Sequence, residues 1–249
     1  MTAVLRVLEY SVMSYRRNWR GTLFTSFLSP VLFLASMGLG LGGLVDRGAG
    51  GAALGGVSYV AFLAPGLLVA QAMQTASFES TYPIMASIVW DRTYHGMLAT
   101  PVTVAGIVVG QLAWIGVRVT LVAGIFFAVM IGFGVVASPF GVIGVAAAIL
   151  TGLAFAAPIM AFAATQRNDT AFSAIFRFLI TPLFIFSGTF FPVEQLPALV
   201  RPIAWLTPTW HGVELARGVS LGPIDGLGIL VHGAVLVGCI MAGTAACLV

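Results

Sequence analysis

The chain interrupts its apolar pattern most sharply at Ile185-Phe186-Ser187-Gly188-Thr189-Phe190-Phe191-Pro192-Val193-Glu194-Gln195-Leu196-Pro197. The residues before this stretch are apolar enough for a membrane-spanning helix, whereas those after it mix apolar and polar side chains. Proline lacks a backbone donor and clashes with the preceding helical turn, so Pro192 and Pro197 end a helix rather than continue it. We therefore expect a hydrophobic helix to end here, where it reaches the bilayer surface.

The composition of the whole chain sets its broad class. Of 249 residues, 59% are hydrophobic and only 8% are charged, and the mean hydropathy is +1.06. Soluble domains carry roughly 25% charged residues. The composition therefore indicates an integral membrane protein.

Six apolar segments approach or exceed the length of about 20 residues that a helix needs to cross a bilayer. Their apolar runs are continuous rather than alternating, which favours helices over a transmembrane barrel. The predicted spans are Leu23 to Val45, Val57 to Phe78, Val102 to Phe133, Phe140 to Ala164, Phe172 to Thr189 and Gly226 to Val249. The sequence thus predicts an all-α integral membrane protein with six transmembrane helices.

The arginines predict the orientation of these spans. All eleven basic residues are arginine, and a cytoplasmic N-terminus places six of them inside and three outside, as the positive-inside rule requires. The inner six are Arg6, Arg16, Arg17, Arg20, Arg92 and Arg167, and the outer three are Arg47, Arg201 and Arg217. We therefore expect both termini on the cytoplasmic side of the inner membrane of a bacterium.

Met1 to Arg20 has the periodicity of an amphipathic helix. Its apolar stripe consists of Leu5, Leu8, Val12, Tyr15 and Trp19. Such a helix lies along a membrane surface. Two roles stay open, an electrostatic anchor to anionic lipid and a lever that touches both the membrane and a cytoplasmic partner.

The predicted inner loop from Glu79 to Pro101 carries much of the polar content. The residue pattern at its centre predicts a short helix with one side buried against the protein and the other side exposed. The residues to be buried are Ile88, Met97 and Leu98, and those to be presented are Asp91, Arg92 and His95.

Motifs for catalysis and nucleotide binding are missing from the sequence. A phosphate-binding loop needs a lysine, and the chain has none. His95, His211 and His232 are expected at different depths, so no shared metal site is predicted. We expect a protein that is not an enzyme and has no cofactor of its own.

Arg118 lies within a predicted span, where charge is costly and usually has a function. It is interpreted as a snorkelling side chain or an internal ion pair between helices, or else as a contact for an anionic head group. Glu79 is expected to pair with a basic residue of the N-terminal helix or the inner loop.

Two groups of residues carry a family resemblance. The first is Gly96-Met97-Leu98-Ala99-Thr100-Pro101-Val102 together with Ser187 to Pro197, and it resembles the ABC-2 type permease family over the whole chain. The second is Gly56 to Gly66, Phe78 to Tyr82 and Thr151 to Ala156. This group is most similar to the nodulation-type lipo-oligosaccharide exporters, and more distantly to daunorubicin-type drug exporters.

The resemblance implies one transmembrane domain over residues 1–249. Residues 1–21 would be an amphipathic connecting helix, 22–189 spans one to five, 190–225 an external re-entrant segment, and 226–249 the sixth span. Two permeases, identical or paralogous, would pair in the membrane lipid with two copies of a cytoplasmic ATPase that binds ATP and Mg²⁺. No nucleic acid is expected as a partner.

The resemblance also implies site residues. Contact with the ATPase would involve Trp90, Asp91, Arg92, Thr93, Tyr94, His95, Gly96, Met97 and Leu98, with Glu79, Arg16 and Arg17 beside them. The external gate would comprise Phe190, Phe191, Pro192, Glu194 and Pro197. Because prolines kink the second and fifth spans, a substrate path is predicted along Phe62, Met73, Phe178, Thr181, Phe184 and Phe186.

The main functional hypothesis is therefore a permease subunit of an ATP-driven exporter of a lipid-linked, glycolipid or amphipathic drug-like cargo. An ion-coupled secondary transporter is the alternative. It needs ionisable groups near the midplane, for which Arg118 and His232 are the candidates. An intramembrane enzyme would need clustered acidic or histidine residues, and the sequence does not cluster them.

Overall fold

The computed structural model describes residues 3–17, 19–48, 54, 56–136, 138–222 and 225–248. Within these residues all regular secondary structure is helical, as predicted. The main helices are α1 (Ala3–Tyr15), α2 (Trp19–Arg47), α3 (Tyr59–Glu79), α4 (Tyr82–Met85), α5 (Thr93–Leu98), α6 (Val104–Gly132), α7 (Ile143–Thr165), α8 (Thr170–Phe186), α9 (Arg201–Trp205), α10 (Pro208–Leu221) and α11 (Gly226–Ala246). Wider π-type turns interrupt α2 at Ser36–Gly42 and α8 at Phe176–Ile180.

Five helical stretches in the described part of the chain are long and apolar enough to cross a membrane. They are Trp19–Arg47, Tyr59–Trp90, Val104–Gly132, Pro139–Thr165 and Gly226–Ala246. These stretches coincide with the first four predicted spans and the sixth. The predicted fifth span corresponds to α8, a helix of 17 residues, which is shorter than the roughly 20 residues of a typical span. The all-helical membrane class is therefore confirmed, with five stretches of spanning length.

Short polar side chains cap the starts of several helices. Ser58, Thr103, Thr207 and Asp225 each accept a hydrogen bond from the backbone N–H three residues further on. Such a cap satisfies one of the free donors at a helix start and contributes about 1 kcal/mol. The starts of α3, α6, α10 and α11 are therefore encoded locally.

The centre of the bundle is formed by α3 and α7, and α7 also contacts α6, α10 and α11. A methyl group on Gly152 of α7 would meet Val119 of α6 at 3.1 Å and the carbonyl oxygen of Ala72 at 3.3 Å. A methyl group on Gly243 of α11 would lie only 2.6 Å from the ring of Pro158 of α7. Small residues thus bring these helices into close contact.

The N-terminal helix packs against the first half of α6. A methyl group on Gly106 would lie 2.8 Å from Ala3, and one on Gly110 would lie 2.7 Å from Val7. The two helices approach this closely because both glycines lack a side chain.

The predicted amphipathic helix from Met1 to Arg20 is shorter than expected and ends at Tyr15. Part of its apolar stripe faces outward, since Leu5 is 48% exposed and Val12 is 43% exposed, whereas Tyr15 packs on Trp114. The face that packs on the protein contains Val7, which is 1% exposed. The glycines of α6 select this face, and the outward part of the stripe can meet a lipid surface.

Candidate functional site

The loop between α3 and α6 carries the short helix α5, where the sequence predicts one. Asp91 and Arg92 are exposed, as is His95, and Trp90 is 57% exposed. Arg92 has a φ of 52°, a left-handed conformation that is uncommon for a residue with a side chain. This turn directs the chain into α5, and the loop presents a polar surface.

Tyr94 anchors α5 to the bundle. Its side chain is half-buried and, like that of Ile88, packs against the main apolar core. Burial raises the pKa of Tyr94 to about 12, above the ordinary tyrosine value of about 10. Met97 is half-buried, but Leu98, which was expected to be buried, is 46% exposed. A helix of 6 residues turns only one narrow side inward.

Glu79 forms an ion pair with Arg118 in the middle of α6. The Nε of Arg118 donates to Oε1 of Glu79 at 3.0 Å, and both side chains are largely buried. The guanidinium also lies 4.4 Å from the ring centre of Tyr15, whose ring meets Trp114 edge-on at 5.6 Å. The prediction that Glu79 pairs with the N-terminal helix or the inner loop is therefore wrong. A buried arginine needs a counter-charge, and the ion-pair interpretation of Arg118 is confirmed.

A chamber of about 420 Å³ lies between α1, the end of α3, the loop before α5 and α6. The predicted coupling residues in its wall are Glu79, Asp91, Tyr94 and Met97. Arg16 and Arg17 lie in the turn after α1, outside this wall. The structure thus gathers Glu79 and part of the loop around one chamber and leaves the two arginines at the surface.

The residues predicted to line a substrate path divide between two environments. They are Phe62, Met73, Phe178, Thr181, Phe184 and Phe186. The two on α3 are buried, and Phe184 packs in the same apolar cluster as Met73. The other three lie on the outward face of α8, where Phe178 and Thr181 line an open cavity of about 700 Å³. One copy of the chain does not bring all six together.

The helix break predicted in residues 185–197 is confirmed, because α8 ends at Phe186. Gly188 follows with a φ of 84°, a backbone conformation that favours glycine. The turn lies directly on α3, since a methyl group on Gly66 would come within 3.0 Å of the Cα of Thr189.

The residues predicted to form an external gate lie just after this turn. They are Phe190, Phe191, Pro192, Glu194 and Pro197. Phe190 packs against Phe33 of α2 and Phe184 of α8, with ring centroids 6.2 and 5.1 Å apart. Phe191 packs against a small apolar cluster within the segment, whereas the acidic residue and the second proline are exposed. The two aromatic residues therefore attach the segment to its surroundings.

Arg217 of α10 organises this segment, although its sequence context gave no sign of this role. Its Nη2 donates to the carbonyl oxygen of Gly188 at 2.7 Å, and its Nε donates to that of Phe62 at 3.4 Å. Its Nη1 pairs with Glu214 at 3.2 Å. The local sequence shows only that Glu214 and Arg217 are three residues apart, a spacing that is common for ion pairs on exposed helices. Arg217 ties the turn after α8 to both α10 and α3.

Two of the three histidines meet, which corrects the prediction that all three lie apart. The Nδ1 atoms of His211 and His232 are 2.8 Å apart, and Trp210 contacts both rings. The pair forms because α10 packs against α11. Across the described residues no group of three or more potential metal ligands occurs. The contact between His211 and His232 joins α10 to α11.

Comparison with known proteins gives the family. The ABC-2 type transporter family matches residues 2–221. The chain belongs to this family. It is also 34% identical over 222 residues to nodulation protein J of Rhizobium leguminosarum bv. viciae, covering 84% of the chain and 81% of the relative. Nodulation protein J of Sinorhizobium fredii (strain NBRC 101917 / NGR234) is 33% identical over 235 residues, covering 92% and 86%.

The ABC-2 permease is therefore an integral membrane subunit of an ABC transporter. Its sequence contains no lysine and so no phosphate-binding loop. Membership in this family implies an ABC ATPase as partner in a membrane complex. The resemblance seen in the sequence is confirmed, including the likeness to nodulation proteins.

Proposed function

We propose that this permease pairs with a second permease and two cytoplasmic ATPase subunits to export a lipid-linked, glycolipid or amphipathic drug-like cargo. The complex would lie in the cytoplasmic membrane of a bacterium, with both permease termini inside. ATP and Mg²⁺ would bind to the ATPase subunits. The family match and the likeness to nodulation protein J over most of the chain support this proposal.

The observation that carries the proposal is the mechanical connection of α5. The helix is exposed, so a partner can reach it, while Tyr94 fixes it to the apolar core. Behind it, the Glu79–Arg118 pair and the ring of Tyr15 join α3, α6 and α1. Closure of two ATPase subunits must pass through a rigid contact of this kind to move membrane helices.

The cargo path would lie between two permeases rather than inside one. Phe178 is 75% exposed and Phe186 is 44% exposed, so a second copy can face them across a shared cavity. The segment at residues 190–225 would then form a re-entrant cap over the outer end of this path. Its anchoring by Arg217 supports a defined gate.

Purification with an ABC ATPase, sought among the reading frames beside this gene, tests the proposal. We expect a stable complex whose ATP hydrolysis drives export, and loss of export when the phosphate-loop lysine of that ATPase is replaced. Transport driven by a proton gradient without ATP would instead favour the ion-coupled secondary transporter. Lipid and metabolite profiling of a deletion strain should then identify the cargo that accumulates on the inner side.

A further inference from the structure

Two polar groups in the chamber beside Arg118 lack partners among the described residues. Arg118 is 7% exposed and its Nε bonds to Glu79, but its Nη1 is buried and has no hydrogen-bond partner within the described chain. The hydroxyl of Tyr15, whose ring lies against the guanidinium, is also buried and has no hydrogen-bond partner among the described residues. Leaving a buried polar group without a hydrogen-bond partner is costly. Two such donors at one chamber point to a ligand that supplies oxygen acceptors.

The chamber opens beside exposed aromatic side chains. Its volume is about 420 Å³, and its wall includes Phe78 and Tyr10, which are 53% and 46% exposed. Tyrosine side chains such as that of Tyr10 are enriched where membrane helices meet the headgroup layer. The opening therefore suits an amphiphile that enters from the membrane surface.

Arg118 lies beside the N-terminal helix. The surface helix α1 runs beside α6 at Gly106 and Gly110 and reaches Trp114 through Tyr15. Arg118 lies one helical turn beyond Trp114, a rise of about 5.4 Å. An amphipathic helix lies at the boundary of headgroups and acyl chains, so a lipid whose headgroup lies beside α1 can extend its phosphate into the chamber toward the guanidinium.

The charges of the chamber distinguish a zwitterion from a simple anion. Among the described residues, its wall contains one guanidinium, Arg118, and two carboxylates, Glu79 and Asp91. A bare phosphate would meet an excess of negative charge, whereas a phosphate joined to a primary ammonium complements both signs. An ammonium carries three donors, and the exposed carboxylate of Asp91 offers acceptors at the rim of the chamber.

We propose that this chamber binds the headgroup of an ethanolamine phospholipid, with its phosphate at Arg118 and Tyr15 and its ammonium at Asp91. In this arrangement the headgroup occupies the chamber where α1, α3 and α6 meet. This assignment does not depend on the cargo or on the direction of transport, so it is tested by lipid binding alone.

The test is native mass spectrometry of the full chain in a maltoside detergent, titrated separately with phosphatidylethanolamine, phosphatidylglycerol and phosphatidylcholine. We expect the ethanolamine lipid to bind tightest. Arg118→Lys keeps a positive charge for Glu79 but loses the free Nη1, and Tyr15→Phe loses only the hydroxyl. Each should weaken binding about tenfold, the factor for one charge-assisted hydrogen bond. Asp91→Asn should lower the affinity for the ethanolamine lipid to the affinity for the choline lipid.

The matched control is Arg6→Lys, because Arg6 forms an exposed ion pair with Glu9 at 3.2 Å on the same surface helix. It should leave binding unchanged. Thermal unfolding of each variant shows whether it folds, and Tyr15→Phe is the substitution that disturbs packing least. Equal binding of the three lipids overturns the proposal. Undiminished binding of the ethanolamine lipid by both Arg118→Lys and Tyr15→Phe also overturns it. Soluble phosphoethanolamine or inorganic phosphate that binds as tightly as the lipid assigns the site to a soluble ligand and also overturns it.

Discussion

The Nη2 of Arg217 donates a hydrogen bond of 2.7 Å to the carbonyl oxygen of Gly188. The same guanidinium lies 3.8 Å from the ring centre of Phe62. Three parts of the chain that are distant in sequence therefore meet at one side chain. The turn after α8 is a fixed part of the bundle, and its stability depends on the geometry of a planar guanidinium.

Replacing Arg217 with lysine should destabilise the permease although the charge is kept. Lysine lacks the planar fork that reaches Gly188, Phe62 and Glu214 together, and we expect a loss of about 2–3 kcal/mol. Thermal unfolding and limited proteolysis after Phe186 measure the effect. The control is Arg47→Lys at an exposed position, and an equal shift in both variants contradicts the anchoring role.

Gly188→Ala should also loosen this turn. A left-handed conformation costs a residue with a side chain about 1–2 kcal/mol, and the new methyl group would lie 3.0 Å from Val193. Gly134→Ala provides the matched control, because Gly134 has a φ of 68° but open space around it. We expect the thermal unfolding temperature to fall further for Gly188→Ala than for Gly134→Ala. The reverse order would show that crowding at the turn is unimportant.

The Glu79–Arg118 pair should behave as a coupled unit. Glu79→Gln leaves a buried guanidinium without its counter-charge, which costs about 3–5 kcal/mol. The double variant Glu79→Gln with Arg118→Gln should lose less than the sum of the single variants, as measured by thermal unfolding in a double-mutant cycle. Glu9→Gln breaks the exposed pair with Arg6 and should cost no more than about 1 kcal/mol. Additive losses at Glu79 and Arg118 would exclude direct coupling.

The contact between His211 and His232 should make stability depend on pH. A direct bond between two ring nitrogens needs one of them unprotonated, and burial, followed by the charge of His232, lowers the pKa of His211. The unfolded chain therefore binds this proton more readily than the folded chain. The free energy of unfolding should fall as the pH drops below about 6.5, the ordinary histidine value.

Thermal unfolding between about pH 7 and pH 5 measures this dependence. His211→Gln should flatten the curve, because the group with the lowered pKa is gone. His95→Gln removes an exposed histidine of α5 and should leave the curve unchanged. An unaltered curve in His211→Gln would assign the acid sensitivity to other groups.

The features that were predicted from the sequence are local ones. An apolar run of spanning length, or a glycine followed by prolines, acts on neighbouring residues, so five of the six predicted spans and the break after Phe186 are confirmed. The fifth predicted span runs three residues past the end of α8, because its apolar run includes residues 187–189, which form the turn beyond the helix. Hydropathy alone does not separate a buried turn from a helix end.

The features that were missed depend on packing between distant residues. Glu79 and Arg118 are 39 residues apart, and Arg217 lies 155 residues from Phe62. No local pattern determines which buried charge meets which partner. The packed face of α1 was missed for a similar reason, because glycines on another helix select Val7.

The surface at α5 and the segment after α8 should respond differently to substitution. Trp90→Ala and His95→Ala alter the exposed surface at α5, where surface changes usually move stability by less than about 0.5 kcal/mol. We expect them to weaken binding of the ATPase and its stimulated hydrolysis.

Pro192→Ala with Pro197→Ala should impair export more than assembly, because the break after α8 is distant from α5 in the chain. Co-purification and export assays on the same variants distinguish the two effects, with Trp205→Ala as a control for loss of an exposed tryptophan. Loss of assembly alone in the proline variant would leave that segment a purely structural role.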